Sequence, residues 1–97
     1  MSVLMTLRVS ADPKAIEETA PEVLQRVVDR AKEYGVISHH FYGTDKEVFV
    51  VDEWPDEASF QSFFESSPEV KEIMDRAGAG QPDITFWRHL DVDDDIG

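Results

Sequence analysis

The segment EVFVVDEW, Glu47–Trp54, decides the fold because it predicts a strand that is apolar on both faces. Neighbouring side chains on a strand point to opposite faces, so two apolar sets alternate along it. These are Phe49 and Val51 on one face, and Val48, Val50 and Trp54 on the other. An antiparallel sheet with one solvated face would instead alternate apolar and polar residues. Both faces of this strand therefore need a covering layer.

The residues before this strand predict a strand, a helix and a second strand. SVLMTLRVS, Ser2–Ser10, alternates as a half-buried strand does. Thr19 and Glu22 have the spacing of a capping box, which predicts a main helix from about Ala20 to Tyr34, preceded by a looser turn. Gly35 is placed to end that helix as a C-cap.

The remaining elements follow from turn and helix-start signals. VISHHFY, Val36–Tyr42, is the second strand, and GTDK, Gly43–Lys46, is the tight turn before the third. Asp56 is a candidate N-cap for the next helix, and Ser67 for its restart. ITFWRHL, Ile84–Leu90, is the last strand.

The predicted order is β-α-β-β-α-β, an α+β ferredoxin-like plan in one domain over residues 1–97. Right-handed crossovers place both helices on one face of a four-stranded antiparallel sheet. The chain has no third layer for the other face. A second copy of the chain would cover it, so we expect a homodimer packed sheet to sheet.

Composition excludes several partner classes. The 97 residues include 9 Lys and Arg against 21 Asp and Glu, a formal net charge of −12, and no cysteine. Such a surface repels nucleic acid and anionic membranes, so neither is expected as a partner. No segment has the pattern of a signal peptide or a membrane span, and the expected location is the cytoplasm.

Three sequence features resemble the antibiotic biosynthesis monooxygenase-like domains of the dimeric α+β barrel superfamily. They are Gly35 at the helix end, FVVDEW followed by PDEASF, and SSPEVKEIM ahead of a glycine-rich loop with QPD. The resemblance covers nearly the whole chain. It implies that two sheets pair into a barrel. It also implies an activity like that of cofactor-independent oxygenases of aromatic polyketides, quinol monooxygenases or haem-degrading enzymes.

The adjacent histidines point to opposite faces of the second strand. His39 shares a face with Ile37 and Phe41, so it looks toward a core or pocket, whereas His40 lies on the other face. The two cannot chelate one metal ion from a regular strand, and no metal site is predicted. His39 is the first candidate for a catalytic base, and a hydrogen-bonded structural role is the alternative.

Further candidates flank the third and fourth strands. Asp52 shares the face of Trp54 and is a candidate base, with an ion pair as the alternative. In the resembling family a tryptophan at the place of Trp54 often lines the pocket. Trp87 and Arg88 are candidate substrate contacts, because an arginine can hold a substrate oxygen; a surface salt bridge is its alternative. His89 is a further ionisable candidate.

The chain departs from the resembling family at its polar positions. Val50 stands where the polyketide oxygenases carry asparagine, and Phe60 where they carry tyrosine. The haem-degrading members carry tryptophan and histidine where Phe63 and Met74 stand. The expected pocket is therefore aromatic, with walls from Trp54, Phe60, Phe63, Phe64 and Met74, unless these residues are simply core.

Two functions remain open from the sequence. One is a cofactor-independent monooxygenase acting on an aromatic or quinone-like small molecule. No cofactor is expected for it, because GAG at Gly78–Gly80 lacks the spacing of a nucleotide-binding fingerprint. The other is a non-catalytic dimer that binds an apolar ligand or another protein. The enzyme needs an ionisable group facing a cavity, whereas the binding module needs only the cavity.

Overall fold

The structure is a computed structural model that describes residues 2–94 and residue 96. Its elements are β1 Val3–Ser10, α1 Pro13–Glu17, α2 Pro21–Glu33, β2 Ser38–Gly43, β3 Glu47–Trp54, α3 Glu57–Glu65, α4 Pro68–Arg76 and β4 Asp83–Trp87. Pro21 and Pro68 each open a helix, since proline is favoured at a first helical position. The two helices of the plan are therefore each divided in two. Of the single domain predicted over residues 1–97, Met1, Asp95 and Gly97 lie outside the described residues.

The four strands form one antiparallel sheet in the order β2-β3-β1-β4. The predicted α+β ferredoxin-like fold is thus confirmed. The register places one row of side chains across the sheet, running from His39 through Asp52 and Met5 to Phe86. This row lies on the face that the helices cover, and it brings His39 next to Asp52.

The inner face of the sheet, defined here as the face toward the helices, carries the core. Its buried strand residues are Met5, Leu7, Val9, Val48, Val50, Asp52 and Trp54. Phe60 and Phe63 from α3 and Ala31 from α2 complete the buried cluster from the helix side. Trp54 and Met5 are the largest fully enclosed side chains, so the core is densest where β1 and β3 meet α3.

The outer face, the opposite side of the sheet, has no covering element among the described residues. Three large side chains on it are exposed: Leu4, Tyr42 and Trp87. Its charged pair is Arg8 with Glu47, whose Nε and Oε2 atoms are 2.8 Å apart. Apolar and charged groups therefore share this face, as the two-sided pattern of β3 predicted.

Two predicted helix signals are confirmed. The Asp56 carboxylate accepts a hydrogen bond from the Ser59 backbone N–H at 2.8 Å and caps α3. Hydrogen bonding to the Ser59 side chain and, to a smaller extent, to its backbone N–H lowers the pKa of the Asp56 carboxyl. Gly35 directly follows the end of α2 with φ of 94°, a left-handed conformation that favours glycine. A side chain there would also press on the ring of Pro55.

One predicted cap, Thr19, is wrong, and another, Ser67, is confirmed in position but makes no side-chain cap bond. Ala20 is the N-cap of α2 and makes no side-chain bond, because the Thr19 hydroxyl donates instead to the Ala15 carbonyl of α1 at 3.1 Å. Ser67 does stand at the N-cap of α4, but its hydroxyl donates back to the Phe63 carbonyl. In both cases the hydroxyl bonds to the preceding helix, an alternative open to serine and threonine at such junctions.

The last strand ends earlier than predicted, at Trp87 instead of Leu90. Its final ladder pair joins Trp87 to Leu4, and β1 has only Val3 left beyond that pair. The pairing therefore cannot reach Leu90. Arg88 and the residues after it leave the sheet.

Candidate functional site

A cavity of about 350 Å³ lies between the inner face and the helices. Such a volume is at the lower end of the range for small-molecule sites. Strands β1, β2 and β3 form its floor, and α2, α3 and α4 form its roof. The polar side chains in its lining are Lys32, Ser38, His39 and Asp52, and the rest of the lining is apolar or aromatic.

One wall of the cavity is a set of packed aromatic rings. The Trp54 ring centroid lies 5.7 Å from that of Phe60, edge to face, and 5.3 Å from that of Phe63. Phe60 in turn stacks on Phe64, with centroids 5.4 Å apart. Contacts of this kind stabilise a core beyond the area they bury. The wall therefore presents a continuous aromatic surface along one side of the cavity.

The polar group at the floor is built from His39, Asp52 and Trp54. His39 Nδ1 lies 2.6 Å from Asp52 Oδ1, and the Trp54 indole Nε1–H donates to Asp52 Oδ2 at 3.1 Å. The Asp52 side chain is only 6% exposed, whereas that of His39 is 35% exposed. The buried carboxylate is thus satisfied at both oxygens, and the imidazole stands between it and the opening.

The mouth of the cavity is marked by the lining residues that are exposed. These are Lys32 near the end of α2, Ile37 just before β2, and His39 and Phe41 on β2. All four come from the same corner of the fold, so the cavity opens beside the edge strand β2. His39 is therefore both at the mouth and bonded to the buried carboxylate.

Six of the predicted site residues meet at this cavity. His39 and Asp52 form the polar pair, and Trp54, Phe60, Phe63 and Met74 line the walls. Phe64, the remaining residue of the expected aromatic pocket, lines it too. The alternation of β2 and β3 and the apolar stripes of α3 and α4 indicate these positions.

The structure does not bring Trp87 or Arg88 to the cavity. Trp87 is next to the inward Phe86, so it lies on the outer face, where its indole Nε1–H donates to Thr6 Oγ1 at 2.8 Å. Arg88 and His89 are exposed beyond the end of β4. Trp87 and Arg88 therefore do not line this cavity, and their role as substrate contacts stays a prediction.

Lys32 is a residue of the mouth that sequence reasoning missed. It follows Leu24 and Val28 at spacings of four, and both of these line the cavity roof. That spacing places all three on one face of α2, which was the available signal. Within residues 2–94 and 96 its ammonium group makes no ion pair.

The arrangement can accept a proton from a molecule held against the aromatic wall. Within the described part of the chain, no group of three or more histidine, aspartate or glutamate side chains is placed to hold a metal ion. None of the described helices is long and apolar enough to cross a membrane. The His39 imidazole, held against the Asp52 carboxylate at the edge of an apolar cavity, is a group that can perform acid–base chemistry.

Comparison with known proteins places the fold. No family model matches the sequence, and no curated protein matches it. Among solved structures, SnoaB, a cofactor-independent oxygenase from Streptomyces nogalater, is similar with a TM-score of 0.66 at 12% identity, over 94% of this chain and 95% of that one. A conserved protein from Methanosarcina mazei Go1 gives 0.65 at 16% identity, over 93% and 94%. An antibiotic biosynthesis monooxygenase gives 0.64 at 10% identity, over 91% and 98%.

These similarities define the class to which the fold belongs. The chain has the ferredoxin-like fold of the antibiotic biosynthesis monooxygenase structures, and the resemblance stated from its sequence is confirmed at the level of the fold. At identities of 10 to 16% the likeness concerns the fold alone.

Proposed function

We propose that the protein is a cofactor-independent monooxygenase that oxidises a hydroxylated aromatic or quinone-like small molecule, with His39 as the base. The observation that carries this proposal is the 2.6 Å contact of His39 Nδ1 with the buried Asp52 carboxylate at the edge of an apolar cavity. A histidine held in this way exposes its second nitrogen for proton transfer, as a base must.

The proposed reaction needs dioxygen as its only oxidant. His39 removes a proton from a ring carbon of the substrate, and the resulting anion passes one electron to dioxygen. The substrate radical and superoxide combine, the imidazolium returns its proton, and a hydroperoxide results. Loss of water then leaves a ketone, so that a CH₂ group and O₂ give C=O and H₂O. One oxygen atom enters the product and the other leaves as water.

The surroundings of His39 support the first step. An apolar cavity favours a substrate whose charge is spread over several rings, and the aromatic wall of Trp54, Phe60 and Phe63 holds such rings flat. Met74 adds an adaptable apolar surface on the roof. Asp52 does not touch the substrate in this scheme. It positions the imidazole and stabilises the imidazolium after proton transfer.

We further expect the working form to be a homodimer in the cytoplasm, paired through the outer face. Leu4 is 41% exposed, Tyr42 59% and Trp87 53% on that face. Leu4 and Trp87 are cross-strand neighbours, and an exposed apolar patch of this kind marks an interface in many proteins. A stable pair would bury more than about 1,000 Å² in total.

One observation favours a second function, a non-catalytic ligand-binding module. The cavity lining is apolar apart from Lys32, Ser38, His39 and the buried Asp52. A cavity of that kind binds an apolar molecule without any reaction. The two functions differ in their need for the His39 imidazole, and an experiment can separate them on that basis.

The test uses dithranol, a hydroxylated three-ring anthrone with an acidic ring CH₂ group. Oxygen uptake and quinone formation are measured above the uncatalysed rate, with the chelator EDTA present. His39→Ala should lower the rate by about 10²- to 10⁴-fold, the usual contribution of a general base. The matched control is His40→Ala, since His40 is the neighbouring residue on the opposite face.

The outcomes discriminate clearly. Loss of turnover in His39→Ala, with activity retained in His40→Ala, supports the monooxygenase. Dithranol binding without turnover in the wild type supports the binding module. Undiminished turnover in His39→Ala, or purified protein coloured by stoichiometric flavin or haem, would contradict the proposed mechanism.

A further inference from the structure

The Trp54 side chain occupies an unusual position for a residue of a ligand pocket. It is fully buried, with 0% of its surface exposed, although part of its ring borders the cavity. Its one polar atom, Nε1–H, is already engaged, because it donates to Asp52 Oδ2 at 3.1 Å. The indole N–H is therefore directed at the carboxylate and is not available to a ligand.

The hydrogen bonds of the two Asp52 oxygens then fix which nitrogen of His39 carries a proton. An indole N–H can only donate, so Oδ2 acts as an acceptor and Oδ1 is left to His39. An ionised carboxylate accepts at both oxygens, which requires that His39 Nδ1 donates across the 2.6 Å contact. Neutral His39 must then be protonated at Nδ1 and bare at Nε2, the nitrogen that is free to act as a base.

We propose that Trp54 is a positioning residue that holds the Asp52 carboxylate so that neutral His39 keeps the Nδ1–H tautomer. This inference deepens the proposed function, because it names the residue that prepares the base through a hydrogen bond to Asp52 and not through a bond from its own N–H to the substrate. It follows from the two hydrogen bonds of Asp52, which link the Trp54 N–H at Oδ2 to His39 Nδ1 at Oδ1. Exposure falls along this chain of contacts, from 35% for the His39 side chain to 6% for that of Asp52 and 0% for Trp54. The bond from Trp54 is therefore shielded from solvent, whereas His39 is accessible at the mouth.

The direct test is the ¹⁵N NMR spectrum of His39, which distinguishes a protonated from a bare ring nitrogen. In the wild type above neutral pH, Nδ1 should give a pyrrole-like signal and Nε2 a pyridine-like signal. Trp54→Phe keeps a ring in contact with Phe60 and Phe63 but removes the N–H group. We expect His39 to shift to a mixture of both tautomers in that variant.

Two further variants calibrate the result. Asp52→Asn replaces one carboxylate oxygen by an amide that can donate, so the Nε2–H tautomer should predominate. Trp87→Phe is the matched control, because it removes an indole N–H that bonds to Thr6 on the outer face. Its His39 spectrum should equal that of the wild type. With dithranol, Trp54→Phe should lower kcat by about tenfold or more while KM stays within about twofold, as a misoriented base would.

Each outcome decides the proposal. An Nδ1–H tautomer in the wild type that is lost in Trp54→Phe and kept in Trp87→Phe supports it. An unchanged tautomer in Trp54→Phe overturns it. If Trp54→Phe does not fold, the wild-type spectrum still decides, because predominant Nε2–H would contradict the inferred contact. The correct tautomers without any turnover of dithranol would reject the proposed enzyme and leave the positioning role of Trp54 standing.

Discussion

The inner and outer faces of the sheet hold the same kinds of side chain in different states. Each face has one tryptophan, with Trp54 0% exposed inside and Trp87 53% exposed outside. Each also has one histidine of the adjacent pair. His39 contacts a buried carboxylate, whereas His40 is exposed near Tyr42. Both tryptophans donate their indole N–H, one to Asp52 and the other to Thr6.

The difference shows that position on a strand, and not residue type, decides what these side chains can do. The helices exclude water from the inner face, so a polar group there must be satisfied within the protein. The chain of bonds from Trp54 to His39 meets that requirement. No described residue covers the outer face, so its polar groups are exposed to solvent and their interactions are weak unless a second subunit covers the face.

Truncating the two tryptophans should give the largest contrast. Trp54→Ala removes a fully enclosed side chain and should cost about 3–5 kcal/mol of the free energy of unfolding. That is a large part of the roughly 5–15 kcal/mol typical of a domain. Trp87→Ala, at protein concentrations low enough for a monomer, should cost less than about 1 kcal/mol. Urea denaturation followed by circular dichroism measures both, and equal losses would refute the assignment of the faces.

The faces themselves could be predicted from sequence, because alternation along a strand is a local property. That reasoning placed Asp52 and Trp54 on one face of the third strand and directed His39 toward a core or pocket, and the register brings all three to the covered face. It did not show that Trp87 would then be remote from the cavity, since the cavity depends on where the helices lie.

The remaining differences arise from contacts between distant elements. The early end of β4 depends on where β1, its pairing partner, begins. The Thr19 hydroxyl could bond either to α1 or to α2, and it bonds to the Ala15 carbonyl of α1. The mouth lies where the end of α2 comes close to the edge strand β2, and a local pattern does not specify that arrangement. Lys32 was therefore not predicted, although its spacing from Val28 places it on the same helix face. The bond from Trp54 to Asp52 is likewise a matter of side-chain conformation, which a strand pattern does not specify.

Charge placed on the outer face should break the proposed dimer without unfolding the chain. In Trp87→Asp, two like charges would be desolvated at the interface, and we expect association to weaken by at least tenfold, or about 1.4 kcal/mol. Gln61→Asp adds the same charge on the exposed side of α3 and should leave association unchanged. Sedimentation velocity over a range of concentrations measures this. A wild-type protein that stays monomeric at micromolar concentration would exclude the dimer.

Replacing Lys32 at the mouth of the cavity should have a smaller effect, which is measured as a change in ligand affinity on the inner face. Lys32→Gln should weaken the binding of 8-anilino-1-naphthalenesulfonate by up to about fivefold, since an exposed ion pair contributes up to ~1 kcal/mol. N-phenyl-1-naphthylamine, which has similar rings and no charge, should bind both proteins equally. Lys71→Gln is the control, because Lys71 is exposed on α4 and does not line the cavity. Fluorescence titration gives the affinity of each protein for each dye. Equal weakening of both dyes in Lys32→Gln would assign Lys32 a packing role instead.

The smallest effect is expected from the charge pair of the outer face. The hydrogen bond from Arg8 is the main cause that lowers the pKa of the Glu47 carboxyl, and the same contact raises the pKa of Arg8. A carboxyl with a lowered pKa in the folded state stabilises the protein above its unfolded pKa, and this contribution is lost as the pH falls through the folded value. Arg8→Gln should therefore return the pKa of Glu47 toward its ordinary value, as measured by NMR titration.

The thermal consequence of Arg8→Gln depends on whether the outer face is covered. In an open face the pair is exposed and screened, so Tm should change little near neutral pH and not at all in high salt. In a sheet-to-sheet dimer the same pair lies at the interface, and its loss should make Tm fall most in dilute protein, where association is weakest. Calorimetry at two protein concentrations distinguishes the cases. A Glu47 pKa that is not raised in Arg8→Gln would show that the pair is not formed in solution, and the outer face would then lack this polar contact between β1 and β3.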